Sequence, residues 1–204
     1  MSSNTVPGER VEAFWSWFSA SEDRLYDFEN DQERVFNELI EKLKGVEQNL
    51  TFEFGPDIDG VREYVISAGG IRDSFHAVEA LADGAPSLPR WKITKYRPRR
   101  PELGQLQIGD QMIDPNDIDF ALEKDGKRVG ISLFIDGYSE ANSQLWGQVG
   151  FLFLDVALGE YDVETKVGHI EFKPYAFKTR LDRRPLPELP GRFDMFVADM
   201  NDGS

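Results

Sequence analysis

Any imidazole chemistry in this 204-residue chain falls to two side chains, His76 and His169, and thiol chemistry is excluded because the chain has no cysteine. Disulfides, thiolate nucleophiles and thiolate metal ligands therefore drop out together. A zinc site draws several His, Cys or carboxylate ligands from set spacings, and the sequence has neither an HExxH pattern nor a close histidine pair. His76 stands beside Phe75 and Ala77 in a helical stretch, and His169 lies on the polar face of a strand. Both read as structural residues, and neither a metal nor a cofactor is expected.

Ser139 is the nearest approach to a nucleophile. A nucleophile elbow reads GxSxG between a strand and a helix, and Gly137-Tyr138-Ser139-Glu140-Ala141 follows a strand and precedes a helix. His169 lies downstream with Asp155 and Asp162 between, so the order Ser, Asp, His is available. The final glycine is replaced by Ala141, and the chain lacks the long alternation of strands and helices found in such hydrolases. A hydrolase using Ser139 and His169 stands as an alternative to an ordinary loop serine.

Among 37 acids, Asp57 with Asp59, and Asp114 with Asp117 and Asp119, form the tightest clusters. A calcium loop needs alternating oxygen ligands, a glycine at the sixth position and a distal glutamate. Asp114-Pro115-Asn116-Asp117-Ile118-Asp119 lacks the third ligand and the glycine, so these acids read as solvated turn residues. Gly69-Gly70 leads from a strand into a helix, but no phosphate-binding glycine motif accompanies it.

Charge is the least even feature. The net charge is −14, which repels polyanions and anionic lipid surfaces, so no DNA or membrane partner is expected. Yet Arg90, Lys92, Lys95, Arg97, Arg99 and Arg100 fall within eleven residues that contain no acid. Lys173, Lys178, Arg180, Arg183 and Arg184 form a second basic window, and Trp91, Tyr96, Tyr175 and Phe177 are interleaved. One reading is a cationic, aromatic-bordered face that binds another protein, carried by Trp91, Arg97, Arg99 and Arg100 with Arg62 as a neighbour across the sheet. The other is that these cations pair with acids of the same chain.

The elements that must position these residues follow from periodicity. Val11, Phe14, Trp15 and Phe18 repeat at helical spacing, and so do Val35, Phe36, Leu39, Ile40, Leu43 and Val46. Leu50, Phe52 and Phe54 alternate as in a strand, and residues 61–68 and 91–96 supply two more. A hairpin on Asp125-Gly126 joins alternating Ile118, Phe120 and Leu122 to Val129, Ile131, Leu133 and Ile135. Residues 143–158 read as a nearly all-apolar, buried helix, and residues 169–172 as a last strand. The predicted fold is α+β: a mostly antiparallel sheet of about six strands with helices packed on it, in a single domain over residues 1–204. Residues 1–10 read as a flexible start and residues 173–204 as a Pro/Arg-rich C-terminal strap. The order strand, strand, helix, strand occurs twice, over residues 50–96 and 118–172. A duplicated ββαβ unit sharing one sheet and a chance parallel both account for it.

Residues 15–99 resemble a family of bacterial proteins to which no activity is assigned. The resemblance rests on Phe14-Trp15-Ser16-Trp17-Phe18, on Arg62-Glu63-Tyr64-Val65-Ile66-Ser67-Ala68 followed by Gly70-Ile71, on Ala85-Pro86, Trp91 and Arg97-Pro98-Arg99, and on Leu158-Gly159-Glu160. It implies a bacterial cytoplasmic origin and an α+β fold, and it carries over no catalytic residue. The function expected is a non-enzymatic cytoplasmic protein–protein interaction or regulatory module, of the inhibitor or immunity-protein kind. Besides the hydrolase, the alternative is a small-ligand domain with a cavity between the sheet and the 143–158 helix.

Overall fold

The computed structural model describes residues 5–108 and 111–202. It is α+β, and its contacts divide the chain into two compact units, Met1–Arg97 and Pro98–Ser204, where periodicity alone reads one domain.

In the first unit, helices α1 (Gly8–Ala20), α2 (Glu22–Tyr26) and α3 (Gln32–Val46) precede strands β1 (Thr51–Ile58) and β2 (Val61–Ser67), helix α4 (Phe75–Asp83) and strand β3 (Trp91–Lys95). The helix α1 already includes Gly8, Glu9 and Arg10, so the expected flexible start is shorter than ten residues, and its first four residues lie outside the described ones. The α1 stripe of Val11, Phe14, Trp15 and Phe18 is buried throughout, and on α3 Val35, Leu39, Leu43 and Val46 are buried while Phe36 and Ile40 at the edges of the predicted stripe are half-buried. The β1–β2 hairpin turns at Asp59 and Gly60, both at positive φ, and Asp57 Oδ1 accepts the Gly60 N–H at 2.9 Å. That local pairing is what makes an Asp-Gly turn favourable. β2 pairs antiparallel with β1 and parallel with β3, because α4 carries the chain back across the sheet.

In the second unit a two-stranded β4 (Leu106–Ile108) and β5 (Gln111–Ile113) precedes the hairpin of β6 (Ile118–Asp125) and β7 (Arg128–Ile135). Helices α5 (Ser143–Leu158) and α6 (Glu160–Lys166) lead to β8 (Val167–Pro174), then β9 (Arg184–Pro185) and helix α7 (Leu189–Asp202). The sheet order is β8-β7-β6-β9, with β8 parallel to β7 and the other pairs antiparallel. Phe120, Ile131, Leu133, Val149, Phe153, Leu154 and Phe193 are among the buried residues of its core.

The single six-stranded, mostly antiparallel sheet is thus not formed. The strands described fall into sheets of three, two and four, and both larger ones are mixed. The physical reason is the crossover. In each unit a hairpin is followed by helix and then by a strand that returns parallel to the second hairpin strand, as strand–helix–strand connections do. The connection is one α-helix, α4, in the first unit and two, α5 and α6, in the second, and the two hairpins belong to separate sheets rather than one shared sheet.

Two helices depart from expectation. α5 buries Val149, Gly150, Phe153, Leu154, Ala157 and Leu158 but exposes Leu145, Phe151 and Leu152, so it is one-sided rather than buried all round. The C-terminal strap is strand at Lys173 and Pro174, the end of β8, and at Arg184 and Pro185, after which Leu189–Asp202 is helical and inserts Leu189 and Phe193 into the core. Pro190 occupies the first turn, where a missing N–H costs nothing.

Candidate functional site

The five residues proposed from sequence as a binding face are placed as follows. Arg62 on β2 is only 7% exposed. Its guanidinium lies 4.7 Å from the Phe28 ring centroid, pairs with Glu29 at 2.8 Å and donates to Gly55 O at 3.3 Å. Trp91, its register partner on β3, is buried among Phe18, Tyr26, Phe54 and Tyr64. Arg97 pairs with Glu53 at 2.8 Å. Arg99, in the second unit, donates from Nε to Leu158 O at 2.8 Å and pairs with both Asp162 and Asp194. The Arg100 backbone N–H donates to Val156 O at 2.9 Å. The other cations of the first basic window behave alike: Arg90 pairs with Asp23, Lys92 with Glu63 and Lys95 with Asp83. In the second window Lys173 pairs with Glu171, Arg183 with Asp119 and Arg184 with Asp182. Every one of these pairs lies within one unit, so acids of the same chain take up eight of the eleven cations of the two windows. The Arg99 pairings raise its own pKa and hold Asp194 below the usual carboxylate range.

Ser139 and His169 have different partners. The Ser139 hydroxyl donates to Asn142 Oδ1 at 3.1 Å in a capping box that starts the turn into α5. His169 Nε2 faces Glu123 Oε1 at 3.0 Å and Nδ1 faces Asp125 Oδ2 at 3.3 Å. The ring stands over Gly130, whereas Ser139 follows Ile135, five residues further along β7 and roughly 16 Å away at strand rise. Burial works against the charged imidazole, but hydrogen bonds to Glu123 and Asp125 outweigh it and raise the His169 pKa.

A cleft of about 1010 Å³ lies in the second unit. It opens where β7 ends and the crossover to α5 begins, the edge at which parallel strand–helix units leave room for ligands. Ile113, Ile118 and Ile135 line it from the strands, Leu145 and Trp146 come from the first turns of α5, and Met112 and Tyr175 complete its apolar lining. Its charged groups are Asp114, Asp117 and Asp136, and no lysine or arginine is among the lining residues.

These carboxylates are held differently. Asp114 accepts from Gln105 Nε2 at 2.8 Å and from the Asn116 backbone at 2.8 Å, which lowers its pKa. Asp136 accepts the Gly137 N–H at 3.0 Å. Asp117 is exposed and has no side-chain partner among the described residues. None of the three is ion-paired within the described structure, in contrast to the basic windows. Asn142 braces the rim by donating to Gly137 O at 2.8 Å, and Gly137 is at φ +74°. Tyr175 already carries one guanidinium, that of Arg183 at 4.3 Å from its ring centroid, itself paired with Asp119 at 2.9 Å.

The sequence treats Asp114 and Asp117 as turn acids and does not single out Asp136 or Trp146. The available signal is that acids stand just outside the ends of two strands that become neighbours, β6 and β7. Among the described residues no helix is long and apolar enough to cross a membrane. Comparison with family models, curated proteins and solved structures gives no match for the chain.

Proposed function

We propose that the chain is a non-enzymatic interaction module that receives a cationic group, the side chain of a lysine or arginine on a partner protein, in the cleft at the head of α5. The observation that carries this reading is the cleft itself: Asp114, Asp117 and Asp136 beside Trp146, Tyr175 and Leu145, with no cation lining it. Carboxylates attract the charge, aromatic faces hold an ammonium or guanidinium within about 6 Å, and the apolar lining accepts the aliphatic stem. The net charge of −14 adds long-range attraction for a basic partner. A cytoplasmic setting belongs to the same proposal, in keeping with a chain free of disulfide-forming residues. The hairpin followed by helix and a parallel strand, present in both units, fits the duplicated unit, with a second helix added in the second.

The test is an NMR titration of the full chain with short synthetic peptides carrying arginine or lysine, and with the same peptides carrying citrulline or acetyl-lysine. Expected are shifts confined to Asp117, Asp136, Trp146 and Tyr175, absent for the neutral peptides, weakened by salt and lost in an Asp117→Asn, Asp136→Asn double variant. Equal shifts from neutral peptides, or none at these residues, would sink the proposal. Shifts with free methylguanidine as strong as with any peptide would favour the small-ligand alternative.

A further inference from the structure

The sheet face opposite α5 carries a second constellation, made by strand pairing rather than by spacing in the sequence. Glu123 on β6 stands directly across from Gly130 on β7. A side-chain carbon at Gly130 would overlap the His169 imidazole, so the ring rests on bare backbone. β8 carries one extra residue here, since Val129 pairs with Val167 but Ile131 pairs with Ile170. This bulge keeps Val167 and Ile170 on the core side and turns His169 to the opposite face beside Glu171, the kind of re-aiming that bulges perform near functional sites. Gly168 makes room in turn for the Asp125 carboxylate, which a side-chain carbon there would strike.

One ligand atom each from Glu123, His169 and Glu171 can be chosen so that all lie within 4.8 Å of one another, and among the described residues this is the one such group of His, Asp and Glu. Tetrahedral bonds of about 2.0 Å set ligand atoms about 3.3 Å apart. The His169 Nε2 to Glu123 Oε1 distance of 3.0 Å needs an opening of only a few tenths of an ångström. On the far side of the ring Asp125 faces Nδ1 at 3.3 Å. A carboxylate behind a histidine, fixing its tautomer and raising its basicity, is the usual outer partner of a metal-bound imidazole. Ser132, the register partner of Glu171, hydrogen-bonds the Glu171 carboxylate. Lys173 pairs with Glu171 at 2.7 Å and also lies 4.5 Å from the Phe177 ring, a place it can keep when the carboxylate turns to a metal.

We propose that Glu123, His169 and Glu171 form a binding site for a first-row divalent cation of the zinc, cobalt or nickel kind, with Asp125 orienting His169 from behind. One imidazole with two carboxylates suits these metals better than magnesium or calcium, which want oxygen alone. The three side chains are between a third and a half exposed, so the remaining coordination positions face water. That makes the site an open one rather than a closed structural one. It stands at the opposite end of β7 from the acidic cleft and does not rest on the cleft's proposed role.

The test uses the full chain with Co²⁺ as the probe, read by visible absorption and by the two histidine ring resonances in NMR with Zn²⁺. One equivalent is expected to bind, moving the His169 resonances and leaving those of His76 in place, with no competition from excess Mg²⁺. His169→Ala is expected to abolish binding, Glu123→Gln and Glu171→Gln to weaken it at least 10-fold, and Asp125→Asn to weaken it by about 10- to 100-fold. Gly130→Ala, which displaces the His169 ring while all three ligand residues are kept, is expected to weaken it as well. His169 resonances that stay still under saturating Zn²⁺, or binding that survives His169→Ala, would overturn the site. The wild-type NMR result decides the matter even where a variant folds poorly.

Discussion

Arg99 separates a docking cation from an internal one, because the two roles predict opposite outcomes for the same substitution. Its guanidinium joins three elements of the second unit: Leu158 O at the end of α5, Asp162 on α6 and Asp194 on α7. The Arg99 side chain is 30% exposed, Asp162 14% and Asp194 58%. The Asp194 arm is therefore a surface pair contributing about 0.5 kcal/mol. The bond to Leu158 O contributes about 1 kcal/mol, and the sheltered Asp162 arm about 1 to 1.5 kcal/mol once Lys166, 2.7 Å from Asp162, is allowed to compensate in part. Arg99→Ala should then cost about 2 to 3 kcal/mol. Arg99→Glu adds repulsion from Asp162 and Asp194, bounded by about 4 kcal/mol for charges 4 Å apart at an effective dielectric constant of 20 and reduced by relaxation. For a chain of this size the alanine variant should melt roughly 5–10 °C lower, and the glutamate variant lower still. Calorimetry and urea denaturation of both variants measure this directly. A melting temperature for Arg99→Glu within about 2 °C of the unmodified protein would refute the reasoning and return Arg99 to the list of free binding cations.

Two glycines one turn apart on α5 should respond in opposite directions. Alanine at Gly147 meets nothing within 4 Å, so it should stabilise by about 0.5–1 kcal/mol through helix propensity. Alanine at Gly150 would overlap Phe172 and come within 3.0 Å of Leu133, so it should destabilise by a net 0.5–2 kcal/mol even after the propensity gain, as urea midpoints will register. Glu38 supplies the pH dependence. Hydrogen bonds from Arg24 and then Trp17 lower its pKa from 4.5 to about 2. A folded pKa below the unfolded one means stability that is present above about pH 4.5 and lost as pH falls toward 2. Discounted for a side chain 32% exposed, this amounts to about 1–2 kcal/mol. Glu38→Gln should be less stable than the unmodified protein at pH 7 and equal to it near pH 2, and a gap that persists unchanged into acid would contradict this origin.

What the sequence determined by itself is what local physics decides. The apolar stripes of α1 and α3 were legible because a helix repeats its buried face every three to four residues, and all of the first and four residues of the second became core. The hairpin on Asp125-Gly126 was legible because few residues tolerate positive φ, and the chain turns there with Gly126 at φ 60°. The helix of residues 189–202 was missed, because the prolines and arginines before it drew the reading toward a strap, although Leu189, Phe193, Val197 and Met200 stand at helical spacing. Only the tertiary structure decided the rest. Whether β3 and β8 return parallel or antiparallel depends on where a helix packs, which periodicity does not carry. Whether a cluster of arginines is a docking face or a set of internal ties depends on which acids the fold delivers, and Asp162 and Asp194 lie more than sixty residues from Arg99. The same delivery places Asp114 and Asp117 opposite Asp136 in a cleft without cations, and sets His169 over a bare glycine between Glu123 and Asp125. Charge type and count are properties of the chain, but the neighbours that give a charge its chemistry come from long-range pairing.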